Sequence, residues 1–457
     1  MRCMDFAHSP LAHDLRHRLE AFMQRYLLPH NAAWHAAVQA GVFPPPFMDD
    51  LKTLAREEGL WNLFLPTLGE GDPGTRLSNL DYAPLAEVMG RLPWASEVFN
   101  CSAPDTGNME LLQRFATPAQ RAQWLQPLLQ GDIRSAFAMS EPDVASSDPT
   151  NLQTTVRREG DQLVLQGRKW FISGAAHPHC KLLIVMCRNA EITPRTSNAP
   201  GGRPDASPRD DSAVATNSAA PIDTHHQHSM VLVPLDTPGV QVLRNIAVVH
   251  HHAPEGHCEI VLRNVRVPLS NLLGTWGDGF GMAQARLGPG RVHHCMRTIG
   301  QCELALQLAT ERTLERHAFG KYLSDFSNVQ DWIAESRLEI DQARLLVLHV
   351  AWALDKGTVE VAQLRAQVAA IKVVAARLQS RVVERAMQAF GAMGLSPDTP
   401  LAALWTWGRA MHLMDGPDEV HLRTVARFEL AQARTRMGAS ATYFTTPEQL
   451  QAVPRIR

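Results

Sequence analysis

The hydrophobic period changes twice along this 457-residue chain, and those changes limit the fold more than any single motif does. From about Leu11 to Gly131 apolar residues recur at helical spacing, broken by Pro-rich stretches at 43–47 and 66–74. From Ser135 to Pro268 the period becomes two. Residues 154–158, the turn Glu159-Gly160-Asp161 and residues 163–166 predict a hairpin, with further strands at 182–186, 230–234, 240–243 and 259–267. From Gly281 to Arg436 the helical spacing returns. Ile333, Leu338, Ile340, Leu345 and Leu348 mark one apolar face; Val361, Leu364, Val368, Ile371 and Val374 mark another. Breaks at Lys356-Gly357 and at 391–400 predict an antiparallel bundle.

This order predicts an α+β multidomain chain. A helical domain covers 1–131, a β domain 132–272, a four-helix bundle 273–440 and a tail 441–457. The stretch 189–228, rich in Pro, Ser, Ala, Asp and Gly, is expected to be a disordered insertion in the β domain. A net charge of −2 points to neither nucleic acid nor anionic membrane as a partner. The seven cysteines are scattered without a CxxC pair, which fits reduced thiols and a cytoplasmic location. No apolar run approaches the ~20 residues of a membrane span, and no secretory signal opens the chain.

Several segments combine chemistry with breaks in the pattern. Residues 137–148, Phe-Ala-Met-Ser-Glu-Pro-Asp-Val-Ala-Ser-Ser-Asp, join a short apolar strand to hydroxyls and small residues. Residues 167–174, Gly-Arg-Lys-Trp-Phe-Ile-Ser-Gly, set aromatics beside a hydroxyl. Each reads alone as a strand end; together they offer a flat wall and donors that suit a flavin ring. Arg316, beside the break at Phe319-Gly320, reads as a solvated helix end or as a diphosphate ligand. The run 386–394 ends a helix in small residues. Asp415 follows a helical stretch without acids and precedes Gly416-Pro417, so it reads as a helix stop or as a carbon-acid base. The glycines at 277–281 lack a preceding βαβ strand, and the histidines near Cys258 have no standard zinc spacing.

These segments, with residues 286–297 and 415–422, resemble in order and spacing the acyl-CoA dehydrogenase family, and within it the family member 10/11 group. The resemblance covers the chain apart from the insertion and the ends. It implies a helical N-terminal domain, a β-barrel-like middle domain, a C-terminal four-helix bundle and bound FAD. Phe137, Met139, Ser140 and Ser147 match the flavin segment, Ser147 passing beside the substrate. Phe171 and Ser173 match the aromatic-and-hydroxyl pair on the flavin; Arg316 with Phe319, and Gln388 with Gly391, match further cofactor contacts. Asp415 matches the base, Gly416 lies beside the substrate, and Pro417 and Glu419 lie near the cofactor. Arg291 is expected to orient the base or its loop.

There are departures from the family pattern. Asp replaces the usual Glu base, Phe171 a tryptophan and Ser327 a glutamine. Gly290 stands where some members carry an alternative base. The implied activity is α,β-dehydrogenation of an acyl-CoA, with electrons passing to an electron-transfer flavoprotein from a homodimer or homotetramer. The acyl chains implied are medium to long, branched or 4-hydroxy-derived. An acyl-CoA oxidase, a nitroalkane-oxidase-like enzyme and a flavin-bearing nucleic-acid-binding relative share this pattern.

Overall fold

A computed structural model describes residues 5–190 and 226–446. Most of the expected insertion, and the tail from 447, lie outside the described residues. The described residues fall into two compact units, one drawn from 1–36, 46–102 and 287–457, the other from 37–45 and 103–286.

The first unit is helical. It begins with α1 (Pro10–Phe22), α2 (Leu28–Gln39), α3 (Phe47–Glu57), α4 (Asn79–Gly90) and α5 (Ala95–Val98). Ser9 and Ser78 cap α1 and α4 by accepting the N–H groups of Ala12 and Asp81. The second unit opens with α6 (Asp105–Phe115), α7 (Pro118–Gln120) and α8 (Gln126–Gln130). Strands β1 (Arg134–Ala138), β2 (Thr155–Glu159), β3 (Gln162–Ser173), β4 (Cys180–Asn189), β5 (His228–Pro234), β6 (Val240–Asn245), β7 (His257–Pro268) and β8 (Leu272–Leu273) follow. They form one sheet in the order β6-β7-β3-β2-β4-β5-β8, with β1 joined in parallel to β4. Its core is the alternate residues the period of two selects, among them Val156, Leu163, Leu165, Leu183, Val185, Val231, Val233, Ile260 and Leu262.

The chain then returns to the first unit through α9 (Gly279–Glu315), the hairpin β9 (His317–Ala318) and β10 (Lys321–Tyr322), α10 (Ser327–Lys356), α11 (Val361–Phe390), α12 (Leu401–Met411) and α13 (Asp418–Thr435). Ile299, Cys302 and Leu306 from α9 pack with Ile340 and Ala343 of α10, Leu378, Val382 and Val383 of α11, and Leu401 and Leu404 of α12. The apolar face expected on α10 is corrected in part. Ile340 is buried, but Leu338 and Leu345 are 61% and 56% exposed, and the buried stripe runs through Val329, Ser336, Ile340, Ala343, Val347 and Val350. A helix with two apolar stripes gives periodicity alone no way to choose between them.

Helices α4 and α9 touch backbone to backbone. A Cβ on Gly300 would stand 1.8 Å from Glu87 O, and one on Gly90 would stand 2.1 Å from Arg297 O. Alanine is the better helix former by about 1 kcal/mol, yet here it must push two helices apart, which costs about 1–3 kcal/mol. Gly300→Ala is therefore expected to lower the thermal midpoint. A midpoint at or above the parent's would show that the two helices are free to separate.

Candidate functional site

The turn between α12 and α13 presents Asp415. Lys372, fully buried on α11, donates to the terminal carbonyl of Met411, and Asp418 N–H donates to His412 O at 3.0 Å. The same two residues also meet through side chains, His412 Nδ1 lying 2.7 Å from Asp418 Oδ2. Between these ties the chain reverses with Asp415 at φ +53° and Gly416 at φ +101°. Asp is among the few residues that tolerate this left-handed region, and Gly enters it without strain. Pro417 then caps α13 with its fixed φ. The Gly-Pro break is thus a helix stop and a device for presenting a carboxylate.

Two α9 side chains grip this turn. Arg291 Nε donates to the Asp415 carbonyl at 2.9 Å, and His294 Nε2 lies 3.4 Å from Asp415 Oδ2. Burial lowers the Arg291 pKa, and the charge of Asp415 opposes that shift. His421, 2% exposed on α13, has an Nε2 without a partner, and a Cβ on Gly416 would stand 3.1 Å from that atom. Burial, then the charges of Arg291 and Lys372, push its pKa down to about 4, so the ring is neutral at pH 7. The Gly416 N–H has no protein acceptor among the described residues. Gly290, one residue before Arg291, faces open space and supplies no second base.

A buried lysine supports the 137–141 segment among the expected cofactor residues of the second unit. Buried Lys169 donates to Met139 O at 2.9 Å, Met186 O at 2.7 Å and Glu141 Oε1 at 2.8 Å, using all three ammonium protons. Glu141 also accepts the N–H groups of Gln153 and Thr154. The 137–141 segment is thereby tied down, and Trp170 N–H donates to Ser140 O at 3.0 Å. The Arg286 guanidinium stands 4.1 Å from the centre of the Phe137 ring while Nε donates to Asn108 Oδ1. Opposite Lys169–Ile172 the β3–β7 register shifts, and Phe171 leaves the ladder at φ +51°, 44% exposed. Ser173 Oγ meets His257 Nδ1 at 2.9 Å, and Ser147 is exposed.

The remaining expected residues belong to the first unit. Phe319 and Gly320 form the loop of the β9–β10 hairpin, both at positive φ, and Phe319 is 98% exposed. The break expected after Arg316 is therefore a hairpin turn, with Arg316 exposed beside it. Gln388 is exposed in the last turn of α11, and its carbonyl accepts the Gly391 N–H. Glu419 is exposed in the first turn of α13.

Among the described residues, eight non-glycine positions have positive φ, and Phe171, Phe319 and Asp415 are three of them. Strain of this kind costs about 1–3 kcal/mol per residue and gathers at functional sites. Each unit by itself carries groups that suit part of a large planar cofactor bearing phosphates: the second an aromatic held out from its strand and the exposed Ser147, the first an exposed arginine near the exposed Phe319 ring.

Sequence reading missed His294, Arg297, His421, Lys372 and the Lys169–Glu141 pair. A signal existed for two of them. Arg291, His294 and Arg297 recur every three residues, the spacing that sets side chains along one helix face. The other three needed the fold.

Family models for the N-terminal, middle and C-terminal domains of acyl-CoA dehydrogenase match residues 9–132, 136–200 and 277–430. The Mycobacterium tuberculosis protein FadE2, named a probable acyl-CoA dehydrogenase, is 49% identical over 445 residues, 96% of this chain and 100% of its own. Mouse acyl-CoA dehydrogenase family member 10 is 44% identical over 455 residues, 98% of this chain but 38% of that protein. A solved structure of a presumptive acyl-CoA dehydrogenase from Mycobacterium abscessus has 44% identity and a TM-score of 0.81, covering 93% of this chain and 99% of its own.

Proposed function

This chain belongs to the acyl-CoA dehydrogenase family, a family of flavoprotein oxidoreductases, and on that premise we propose that it oxidises an acyl-CoA to the trans-2-enoyl-CoA with Asp415 as base. The Asp415 turn carries the reading: a carboxylate on a strained, doubly anchored reversal, with Arg291 on its carbonyl and an N–H without a protein acceptor at Gly416.

Bound FAD supplies the acceptor for the hydride that leaves the β-carbon. Phe137, Met139, Ser140, Ser147, Phe171 and Ser173 would hold its ring system, and Arg316, Phe319, Gln388, Gly391, Pro417 and Glu419 its remainder. The protein's own part is proton chemistry. A thioester α-proton is only weakly acidic, so the developing enolate needs donors aimed at its oxygen. Gly416 N–H is one such donor. Asp415 takes the α-proton, and packing of the acyl chain keeps water from its carboxylate. Arg291 fixes the turn through the Asp415 carbonyl rather than through its carboxylate.

The relation to the 10/11 group supports medium to long, branched or 4-hydroxy-derived acyl chains. Electrons then pass to an electron-transfer flavoprotein, and a homodimer or homotetramer covers the exposed Arg316 and Phe319. Anaerobic mixing of the purified protein with a panel of acyl-CoAs tests the proposal: flavin absorbance should bleach with at least one. No bleaching across the panel sinks the reading, and fast reoxidation of the bleached protein by oxygen would make it an oxidase.

Arg316 gives a separate check. A charge-assisted hydrogen bond is worth about 1.5–3 kcal/mol, so Arg316→Ala is expected to weaken FAD retention by about 10–100-fold. Gel filtration with an absorbance ratio reads this directly. Full retention would remove Arg316 from the cofactor site.

A further inference from the structure

The second of two adjacent histidines on α9 is placed where the base needs a partner. His293 faces Tyr82 and Phe64 with ring-centre distances of 5.1 and 6.0 Å, and burial pushes its pKa down to about 3. His294 faces the other way. Its Nδ1 lies 3.1 Å from Arg297 Nη2, its Nε2 lies 3.4 Å from Asp415 Oδ2, and the residue is 8% exposed.

This geometry determines the protons. A guanidinium has only donors, so His294 Nδ1 must accept from Arg297. An imidazolium would set N–H against N–H there. The ring is thus neutral, with its single proton on Nε2, and that proton faces Asp415. Arg297 is itself placed by the α4–α9 backbone contact and by a donation from its Nη1 to Cys101 O at 3.4 Å.

We propose that His294 is a positioning residue for the base, donating Nε2–H to Asp415 Oδ2 and so orienting the carboxylate that takes the substrate α-proton. This rests on the reading of Asp415 as base. Aspartate reaches one methylene less far than the family's usual glutamate, and its carboxylate can still rotate about its own bond. A fixed donor on one oxygen holds that rotation and favours the ionised form. In the step itself the α-carbon proton moves to the Asp415 carboxylate and the electron pair it leaves forms the new double bond, while bound FAD would supply the acceptor for the β-hydride. His294 keeps its proton throughout.

The charged and titratable groups facing this pair are Arg291, Arg297 and Cys295 from α9, Lys372 from α11, and Asp418 and His421 from α13. His421 is neutral above about 4 and the Cys295 thiol, pushed up by burial, is neutral below about 12. Lys372 has its pKa lowered by burial, so its protonation is common to every variant compared below.

The test pairs His294→Leu, which removes the donor, with His294→Gln, which returns an N–H near the Nε2 position. Single-turnover flavin reduction is followed against pH, with acyl-CoA binding measured separately. His294→Leu should slow reduction by about 10–100-fold and move the acidic limb of the profile upward by about one unit, as a carboxylate does on losing a donor. Acyl-CoA binding should change little. His294→Gln should return both rate and limb towards the parent.

A limb in His294→Leu that coincides with the parent's overturns the proposal, and so does a glutamine variant no better than leucine. If the leucine variant does not fold, the parent alone decides. Its ¹⁵N histidine spectrum, assigned by difference against His294→Gln, should show His294 as the neutral Nε2–H tautomer. The Nδ1–H tautomer or an imidazolium overturns the proposal. If no acyl-CoA bleaches the parent, the proposed function falls and the positioning role falls with it, an outcome distinct from an unmoved limb.

Discussion

Asp415→Asn is expected to slow anaerobic flavin reduction by about 10²–10⁴-fold while leaving FAD content and the melting transition unchanged. The size follows from what a positioned base contributes to proton transfer. The selectivity follows from the turn. Asparagine tolerates the left-handed backbone at φ +53° as aspartate does, and the Asp415 carbonyl that Arg291 grips belongs to the main chain. An amide fills the same space and still accepts from His294, so only proton affinity is removed. Position 290 on α9 cannot replace it, because it is a glycine facing open space. Stopped-flow bleaching with the best acyl-CoA of the panel gives the rate. A variant reduced as fast as the parent would mean that Asp415 is a helix stop and nothing more.

The fold was legible to the extent that periodicity follows burial. Residues 154–166 announced the β2–β3 hairpin because alternate side chains there enter one core, and Gly160 at φ +61° closes its turn. Gly357 at φ +60° ends α10 where the Lys-Gly break is written. Periodicity failed on α10, where Leu338 and Leu345 belong to an exposed stripe. The residues named for the site were found by resemblance, and their backbone then proved unusual at Phe171, Phe319 and Asp415. Propensity has no way to register such strain, since it depends on the surrounding structure forcing the conformation. Residues acting through other residues were the least legible. Lys372 is a charged group inside an apolar stretch and Lys169 and Glu141 stand in mixed ones, and only tertiary partners separate such groups from a surface charge.

Lys169→Ala is expected to cost about 3–5 kcal/mol and to lower the melting transition of the sheet unit by about 10 °C. The ammonium is fully buried, spends its three protons on Met139 O, Met186 O and Glu141 Oε1, and faces a carboxylate that is 3% exposed. Removing it strands that carboxylate. The pH dependence separates this account from loss of packing alone. In the parent, burial pushes the Glu141 pKa up, but the Lys169 charge and the donors from Lys169, Gln153 and Thr154 bring it below the ordinary 4.5. A depressed folded value means stability that is present above pH 4.5 and lost as pH falls through the folded pKa. In the variant the buried carboxylate has lost its cation and gains by binding a proton. The deficit against the parent should therefore be widest near pH 7, narrow as pH falls through the variant's raised carboxylate pKa towards 4.5, and narrow further below 4.5 as the parent loses its own contribution. Glu141→Leu added to Lys169→Met should recover much of the loss at neutral pH, since a well-packed apolar pair avoids the stranded charge. Met139 O loses its anchor in every such variant, so FAD retention should stay low even where stability returns. Recovery of both together would mean that Lys169 acts on the 137–141 segment only through global stability.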